Sequence, residues 1–362
     1  MGPGTIVAFA ICIAVAVAVV AVCLWLIIEK STFKGKQSTE YWTLATPHDE
    51  RKIVTLDKES GRDFVILNFT DVQFNDILDI GKAEFTYATM DELVKRVHPD
   101  LITITGDIVW ALPFTRRSVM RFIMHMDGYR VPWAPVFGNH DAEGNCDLNW
   151  IADKFILSRN CVFSKGPVNI GGVGNYVINI KEDGKVVHTL FMLDSHAYRY
   201  YPELDKTKYD FVQPSQIGWY RWHLHGIAAE NGGDKPASTV FMHIPLPQFK
   251  TAYEEYRKSG FSPEMGFGVN NERVNCAPVD SGFFDVIKAE GSTHDVVCGH
   301  DHINDSSVVY QGVRLTYALK TGDRCYWQDD GMMNGGTVLR VASDGTVTTE
   351  HCYVNDIKLK QK

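Results

Sequence analysis

Carboxylate, amide and imidazole side chains recur at separated points of the chain, and together these types are common metal ligands. In chain order the candidate ligands are Asp71, Asp107, Asn139, His243, His300 and His302. We expect Asp107 to bridge two cations, because one carboxylate offers two oxygen atoms. The first cation would also bind Asn139, His243 and His300, and the second would also bind Asp71 and His302. Oxygen and imidazole donors of this kind suit Mn, Fe, Zn or Mg.

A pair of neighbouring cations predicts phosphoester hydrolysis. Two cations about 3.5–4 Å apart can polarise phosphoryl oxygens and hold a hydroxide between them for attack on phosphorus. We expect His140, which is adjacent to a candidate ligand, to reach a phosphoryl or leaving-group oxygen. Asp141 is expected to orient His140, since a carboxylate beside an imidazole fixes its tautomer and raises its basicity.

Each candidate ligand follows a short apolar run that predicts a buried strand. The runs are residues 64–69 before Asp71, 101–105 before Asp107, 134–137 before Asn139, 239–242 before His243 and 295–298 before His300. Thr89 is interpreted as the start of a helix with a capping box, which ends before Pro99. Strands that alternate with helices indicate an α/β fold, in which ligands bind beyond the carboxyl ends of strands. Turn signals at Gln311-Gly312 and Asp344-Gly345 predict later antiparallel hairpins, so we expect a mixed core of two sheets.

Length and charge limit the class of protein. The chain has 362 residues, 45% of them hydrophobic, which is enough for one large domain or two ordinary ones. Its formal net charge of −8 argues against a nucleic-acid partner, because such partners are bound by basic surfaces. We expect a single catalytic domain over residues 61–362, preceded by a polar linker over residues 31–60.

The N-terminal segment has the composition of a membrane span. Residues 6–28 carry no charged side chain and are numerous enough to cross a hydrocarbon core of roughly 30 Å as a helix. We therefore expect residues 1–30 to form a single-pass anchor in contact with a lipid bilayer. A cleaved signal peptide is the alternative, although its apolar region is usually about 7–15 residues long. Lys30, Lys34 and Lys36 follow the span and nominally favour a cytosolic domain.

The order Asp, Gly-Asp, Gly-Asn-His-Asp, His and Gly-His-x-His resembles that of the calcineurin-like metallophosphoesterases, and the resemblance covers most of residues 62–320. Further motifs, such as Gly172-Val173-Gly174-Asn175-Tyr176 and His243-Ile244-Pro245, are similar to those of the short, single-domain branch of purple acid phosphatase-like proteins. The resemblance implies a four-layer αββα sandwich with two mixed sheets and the metal roles assigned above. Because acid phosphatases commonly work outside the cytosol, it also favours a luminal or extracellular domain.

Two positions depart from the pattern of these families. Trp110 stands where the purple enzymes place a metal-binding tyrosine, so we expect a colourless protein. Gln73 stands where the superfamily places a histidine. Three interpretations of Gln73 stay open: a neutral oxygen ligand, a residue that holds a water molecule on the metal, or a lesion that empties the second metal position. The first of these is favoured.

His196 and Arg199 are candidates for substrate binding, because they follow a predicted strand end at residues 193–195. A position in an exposed, aromatic-rich loop is the simpler explanation for both.

Taken together, these patterns predict a membrane-anchored phosphatase that hydrolyses phosphomonoesters through a hydroxide held by two divalent or trivalent metal ions. A phosphodiesterase is the near alternative. An alternative from another class is a degenerate member that keeps the fold as a membrane-tethered binding or scaffold protein, because Gln73 leaves one metal position in question. Retention of the other site residues argues against that alternative.

Overall fold

The computed structural model describes residues 2–75, 77, 80–110, 114–323, 325 and 334–353. The α-helices of these residues are α1 (Pro3–Thr32), α2 (Ile80–Val97), α3 (Thr115–Gly128), α4 (Leu148–Ile156), α5 (Pro214–Glu230), α6 (Gln248–Lys258) and α7 (Phe283–Glu290). The first strands are β1 (Val54–Asp57), β2 (Phe64–Phe69), β3 (Leu101–Thr105), β4 (Trp133–Val136), β5 (Tyr176–Glu182), β6 (Lys185–Met192), β7 (Tyr198–Tyr201) and β8 (Lys206–Tyr209). The later strands are β9 (Ala237–Phe241), β10 (Gly266–Phe267), β11 (Thr293–Cys298), β12 (Ser307–Tyr310), β13 (Val313–Tyr317), β14 (Gly335–Val341) and β15 (Val347–Tyr353).

The described strands form two large mixed sheets and one small hairpin of β7 and β8. The larger sheet has eight strands in the spatial order β1-β5-β6-β9-β11-β13-β12-β10, and the other has five in the order β15-β14-β2-β3-β4. Strands β2, β3 and β4 are parallel to one another, and so are β6, β9, β11 and β13. Antiparallel pairs complete the mixed pattern. They are β2–β14 and β14–β15 in the five-stranded sheet, and β5–β6, β12–β13 and β10–β12 in the larger one.

Alternate side chains of β5 show how the layers are stacked. Ile178 and Ile180 belong to the core cluster that includes β2, β3 and helices α2 to α4, whereas Val177 belongs to the cluster beneath α5, α6 and α7. Successive side chains of a strand point to opposite faces, so the two sheets pack face to face with helices on their outer sides. The predicted α/β sandwich with two mixed sheets and four layers is confirmed.

The helix between β2 and β3 begins earlier than the sequence pattern predicted. Because α2 starts at Ile80, Thr89 lies inside the helix and is buried, so its interpretation as a capping residue is wrong. Ala83, Met90 and Leu93 form the buried face of α2, which packs against β2 and β14. Burial of this face stabilises the extra turns, which local propensity alone does not reveal.

Part of the segment that we expected to be a linker, residues 31–60, packs on the domain. Strand β1 pairs in parallel with β5 at the edge of the larger sheet, and the Trp42 side chain is buried in the cluster beneath α5. The backbone N–H groups of Gly35 and Lys36 donate to the carboxylates of Asp147 and Asp153 at 2.9 and 3.0 Å. The boundary at residue 61 therefore does not mark the start of packed structure. The last residues of the expected domain, 354–362, lie outside the described part.

One described helix, α1, is long and apolar enough to cross a membrane, by length and composition. Its candidate span is Gly4–Glu29, 26 residues that are not buried against the rest of the protein. At the end of the span the chain contacts the start of α3. Arg116 donates to Glu29, the last residue of the span, at 2.7 Å, and its guanidinium lies 3.4 Å from the centre of the ring of Phe33, the residue after α1. A signal sequence has the same character, so the anchor stays a prediction.

Candidate metal centre

The candidate ligands meet where parallel strands of both sheets end. In the five-stranded sheet Asp71 follows β2, Asp107 follows β3 and Asn139 follows β4. In the larger sheet His243 follows β9 and His300 follows β11. Because the carboxyl ends of parallel strands lie at one edge of a sheet, the two facing edges contribute side chains to one site. Possible ligand atoms of Asp71, Asp107 and His243 all lie within 4.8 Å of one another.

One end of this site, which we call the His243 end, consists of His243, Asn139, His300 and the nearer oxygen of Asp107. Nδ1 of His243 donates to the carbonyl oxygen of Thr105 at 2.8 Å, which leaves Nε2 as the atom that faces the site. This Nε2 lies 3.1 Å from Oδ1 of Asn139, 3.2 Å from Nδ1 of His300 and 3.4 Å from Oδ1 of Asp107. Donor atoms from both sheets thus surround one small volume, as the ligands of a single cation do.

The other end, which we call the Gln73 end, consists of Gln73, His302, Lys320 and the Oδ1 atom of Asp71. Nε2 of His302 lies 3.2 Å from Asp71 Oδ1 and 3.3 Å from Gln73 Nε2. The amide oxygen of Gln73 accepts a hydrogen bond from Lys320 Nζ at 3.2 Å, so the amide nitrogen faces Asp107 Oδ2 at 3.5 Å. In this arrangement the amide nitrogen of Gln73 faces the site, and not the oxygen that the favoured interpretation requires.

The Asp71 carboxylate is oriented so that one oxygen faces the site. Its Oδ2 accepts from Oγ1 of Thr70 at 2.8 Å and from the backbone N–H of His300 at 3.0 Å. Its Oδ1 is buried and faces Nε2 of His302 at 3.2 Å. A buried carboxylate oxygen costs free energy unless a donor or a positive charge compensates it. A proton on His302 or a cation beside Oδ1 would supply that compensation.

Glycine precedes several ligands because the neighbouring loops come too close for a side chain. A Cβ atom at Gly138 would overlap the carboxylate of Asp107, and one at Gly299 would overlap that of Asp71. Asp71, Asp107 and His300 themselves have φ angles of 49°, 51° and 79°, in the left-handed region. Such conformations cost free energy and cluster at functional sites, where the surrounding structure maintains them.

Burial and neighbouring charges determine which imidazoles carry protons. Burial acts to lower the pKa of His243, but the Asp107 carboxylate beside it raises this pKa to about 10. Burial and the charge of His243 lower the pKa of His300 to about 3. A cation at the His243 end would displace a proton from His243, whereas His300 is already in the neutral form that binds metals.

His140 lies beside the site, but its partner is not the predicted one. Nδ1 of His140 donates to Oε2 of Glu143 at 2.8 Å, and Nε2 lies 3.9 Å from Asp107 Oδ2. The Asp141 carboxylate instead accepts from the backbone N–H groups of residues 108, 109 and 138 at 2.9, 3.0 and 2.8 Å. The predicted pairing of His140 with Asp141 is wrong because a single helical turn, Asp141–Glu143, brings Glu143 to the ring. The three-residue spacing of these side chains is the signal that could have identified Glu143.

A cavity of about 350 Å³ adjoins the site, and its walls include residues that the sequence analysis did not assign. Trp110 lies 5.4 Å from the His140 ring, and Tyr209 meets His300 edge-on at 4.4 Å between ring centres. Tyr198 stacks on Tyr209, and its hydroxyl accepts from Nδ2 of Asn139 at 3.3 Å. Aromatic side chains in a loop were visible in the sequence, but not which of them face the ligands.

His196 and Arg199 do not line this cavity. Nε2 of His196 lies 2.9 Å from Oε1 of Gln216 at the start of α5, and Arg199 is an exposed residue of β7, 3.8 Å from Asp210. The structure therefore does not bring these two side chains to the cavity beside the ligands, and their part in substrate binding stays a prediction. In the same hairpin Tyr198 reaches the ligands instead, because neighbouring side chains of a strand point to opposite faces.

Comparisons with known proteins agree with the fold. Residues 64–304 match the family of calcineurin-like phosphoesterases. A curated relative from Arabidopsis thaliana, "Probable inactive purple acid phosphatase 14", is 28% identical over 302 residues, which are 73% of this chain and 72% of that protein. "Phosphatase DCR2" of Saccharomyces cerevisiae is 28% identical over 57% of this chain, but the match spans only 36% of that protein. The solved structure "GAP50 the anchor in the inner membrane complex of Plasmodium" has a TM-score of 0.50 and 12% identity, over 83% of this chain and 87% of that one.

Proposed function

The chain belongs to the calcineurin-like phosphoesterase family, and on this premise we propose that it hydrolyses phosphomonoesters with a metal centre between its two sheets. The family and fold bind a dinuclear metal centre and act on phosphorylated substrates. The word "phosphatase" in the names of the yeast and plant relatives supports phosphomonoesters as the first substrate class to test.

One observation carries the proposal: buried ligand atoms from distant loops converge beside an open cavity. Asp71, Asp107 and His243 offer atoms within 4.8 Å of one another, and Asp107 and His300 also line the cavity. A cation bound there would polarise a phosphoryl oxygen and activate a water molecule. The two carboxylates alone would repel a phosphate, so this cavity needs positive charge to accept one.

His140 is proposed to protonate the leaving group. Its Nδ1–H donates to the Glu143 carboxylate, which orients the ring and leaves Nε2 for the cavity. From Nε2 a proton would pass to the ester oxygen as its bond to phosphorus breaks, so that the product leaves as a neutral alcohol. Trp110, whose ring lies beside His140, would cover one side of that alcohol.

Hydrolysis of an aryl phosphate tests the proposal directly. The full chain in detergent micelles, supplied with Mn²⁺ or Mg²⁺, should hydrolyse p-nitrophenyl phosphate faster than its bis-ester. Asp107→Asn should abolish this activity, whereas Asp234→Asn, a change at an exposed carboxylate, should leave it intact. Faster hydrolysis of the bis-ester would indicate phosphodiesters, and not phosphomonoesters, as the substrate class. Hydrolysis that survives Asp107→Asn would contradict the proposed site.

A non-catalytic binding or scaffold role is the second candidate, and the Gln73 end favours it. There an amide nitrogen stands among the ligand atoms, and the plant relative carries "inactive" in its name. In that case the protein should bind inorganic phosphate in the cavity without turning over either ester. Isothermal titration with phosphate, combined with the hydrolysis assay, separates the two candidates.

The apolar helix α1 is proposed to anchor the protein in a bilayer, with the domain on the luminal or extracellular side. The unburied 26-residue span supports the anchor. Protease digestion of intact and permeabilised membrane vesicles tests the side. A domain that is digested in intact microsomes would place it in the cytosol and contradict this part of the proposal.

A further inference from the structure

Lys320 is buried at the Gln73 end, and its position is defined by two hydrogen bonds. Its side-chain nitrogen donates to the backbone carbonyl of Asp71 at 2.9 Å and to Oε1 of Gln73 at 3.2 Å. Only 1% of the Lys320 surface is exposed. The residue lies three positions after β13, and its backbone pairs with Thr70, the residue before Asp71. The fold therefore fixes the lysine nitrogen at this end of the site.

The contact with Lys320 decides what Gln73 can offer to a metal ion. An amide oxygen carries the lone pairs that bind cations, whereas an amide nitrogen only donates hydrogen bonds. Since Lys320 donates to the oxygen of Gln73, the nitrogen is turned towards His302 Nε2 and Asp107 Oδ2, at 3.3 and 3.5 Å. The Gln73 end thus presents a donor where a second cation would need an acceptor.

The Lys320 nitrogen lies within the Gln73 end, where it donates to the Asp71 carbonyl and to the Gln73 oxygen. A second cation there would have to compete with this nitrogen for the Gln73 oxygen. The lysine also offsets the negative charge of Asp71, to whose backbone it is bonded. No such basic side chain is bonded to a ligand at the His243 end in the described residues.

We propose that Lys320 and Gln73 together replace the second metal ion, so that this chain holds one cation, at the His243 end. Lys320 compensates part of the negative charge that a second cation would otherwise compensate, and the Gln73 amide hydrogen-bonds to ligand atoms that a second cation would otherwise bind. The inference rests on the metal centre of the proposed function, but not on its substrate. The inference predicts one bound metal ion in this chain, whereas the family binds a dinuclear metal centre.

Metal stoichiometry tests the inference without reference to activity. The full chain in detergent micelles is stripped with a chelator, loaded with Mn²⁺ and desalted, and manganese is then counted by mass spectrometry and observed by electron paramagnetic resonance. We expect one Mn²⁺ per chain, with the six-line spectrum of an isolated ion. Two ions per chain with an exchange-coupled spectrum would overturn the inference.

A double variant tests the cause. Gln73→His with Lys320→Met restores an imidazole and removes the lysine, and should raise the count from one to two ions per chain. Gln73→His alone should stay at one, because Lys320 remains. A double variant that melts at a temperature similar to that of the parent but still holds one ion would overturn the role of the pair. If it does not fold, the parent count and the milder Lys320→Gln, which should bind a second ion more tightly than the parent, still decide the question.

Failure of this inference can be told apart from failure of the proposed function. Two ions in the parent overturn only the inference, whereas one ion without hydrolysis supports the inference and contradicts the function. No bound ion at all overturns both. Asn139→Ala, which removes a ligand at the His243 end, should reduce the parent count from one to zero.

Discussion

The His243 end and the Gln73 end are built from similar loops, yet they offer a cation different atoms. At each end a neighbouring group fixes the orientation of a side chain. The carbonyl of Thr105 accepts from His243 Nδ1 and leaves Nε2 facing the site, where it becomes an acceptor once it releases its proton, whereas Lys320 donates to the oxygen of Gln73 and leaves an amide nitrogen that stays a donor. The identity of the supporting group therefore determines whether a position can bind metal.

The largest expected effect comes from replacing Asp107, because one of its carboxylate oxygens faces each end of the site. Asp107→Asn replaces a carboxylate that lies 3.4 Å from His243 through Oδ1 and 3.5 Å from Gln73 through Oδ2. We expect loss of bound metal and of hydrolysis together, measured by metal analysis and by release of p-nitrophenol. Retention of metal in this variant would contradict the assignment of Asp107 as a ligand at the His243 end.

A smaller effect on hydrolysis is expected from substitutions at His140 and Glu143, which lie beside the ligands. His140→Gln should lower kcat by about 100-fold, within the range typical for loss of a general acid, while the metal content stays unchanged. Glu143→Gln should have a weaker effect of the same kind, because it removes only the partner of His140 Nδ1. Loss of metal from His140→Gln would show that His140 is itself a metal ligand and belongs to the His243 end.

The dependence of metal binding on pH sharpens the contrast between two imidazoles of the His243 end. The pKa of His243 is raised to about 10, so the metal-free protein carries a proton there at neutral pH, while His300, with a pKa lowered to about 3, carries none. Binding should release about one proton, and the affinity should rise about tenfold per pH unit between pH 6 and 8. Calorimetry in buffers of different ionisation enthalpy measures the proton count, and a count near zero would contradict this assignment.

The smallest effect is expected in the hairpin of β7 and β8. Tyr198→Phe removes the hydroxyl that accepts from Asn139 Nδ2, and the amide can then turn its oxygen away from His243. We expect the metal affinity to fall by about tenfold, at the low end of effects from groups that support a ligand. Arg199→Ala in the same strand is a matched control, because its side chain does not line the cavity. Equal effects of the two changes would show that the hairpin as a whole, and not the Tyr198 hydroxyl, matters.

The positions of the ligands could be predicted because each follows a buried parallel strand, whose continuous apolar sequence is easy to recognise. Strands β2 and β3 have the predicted bounds, and the other three strands that precede ligands differ by one to two residues. Lys320 could not be predicted, because it is 247 residues from Gln73 and only the folded sheets bring the two together. The partner of His140 was missed for a more local reason, the single helical turn after it.

The junction between α1 and the domain has a mechanical consequence. Arg116 contacts both Glu29 and Phe33, and the backbone of Gly35 is bonded to Asp147, so the polypeptide that leaves the apolar helix is attached to the domain at once. These contacts shorten the free polypeptide between the helix and the domain. If α1 crosses a bilayer, they hold the start of α3 and the Asp147 loop close to the membrane surface.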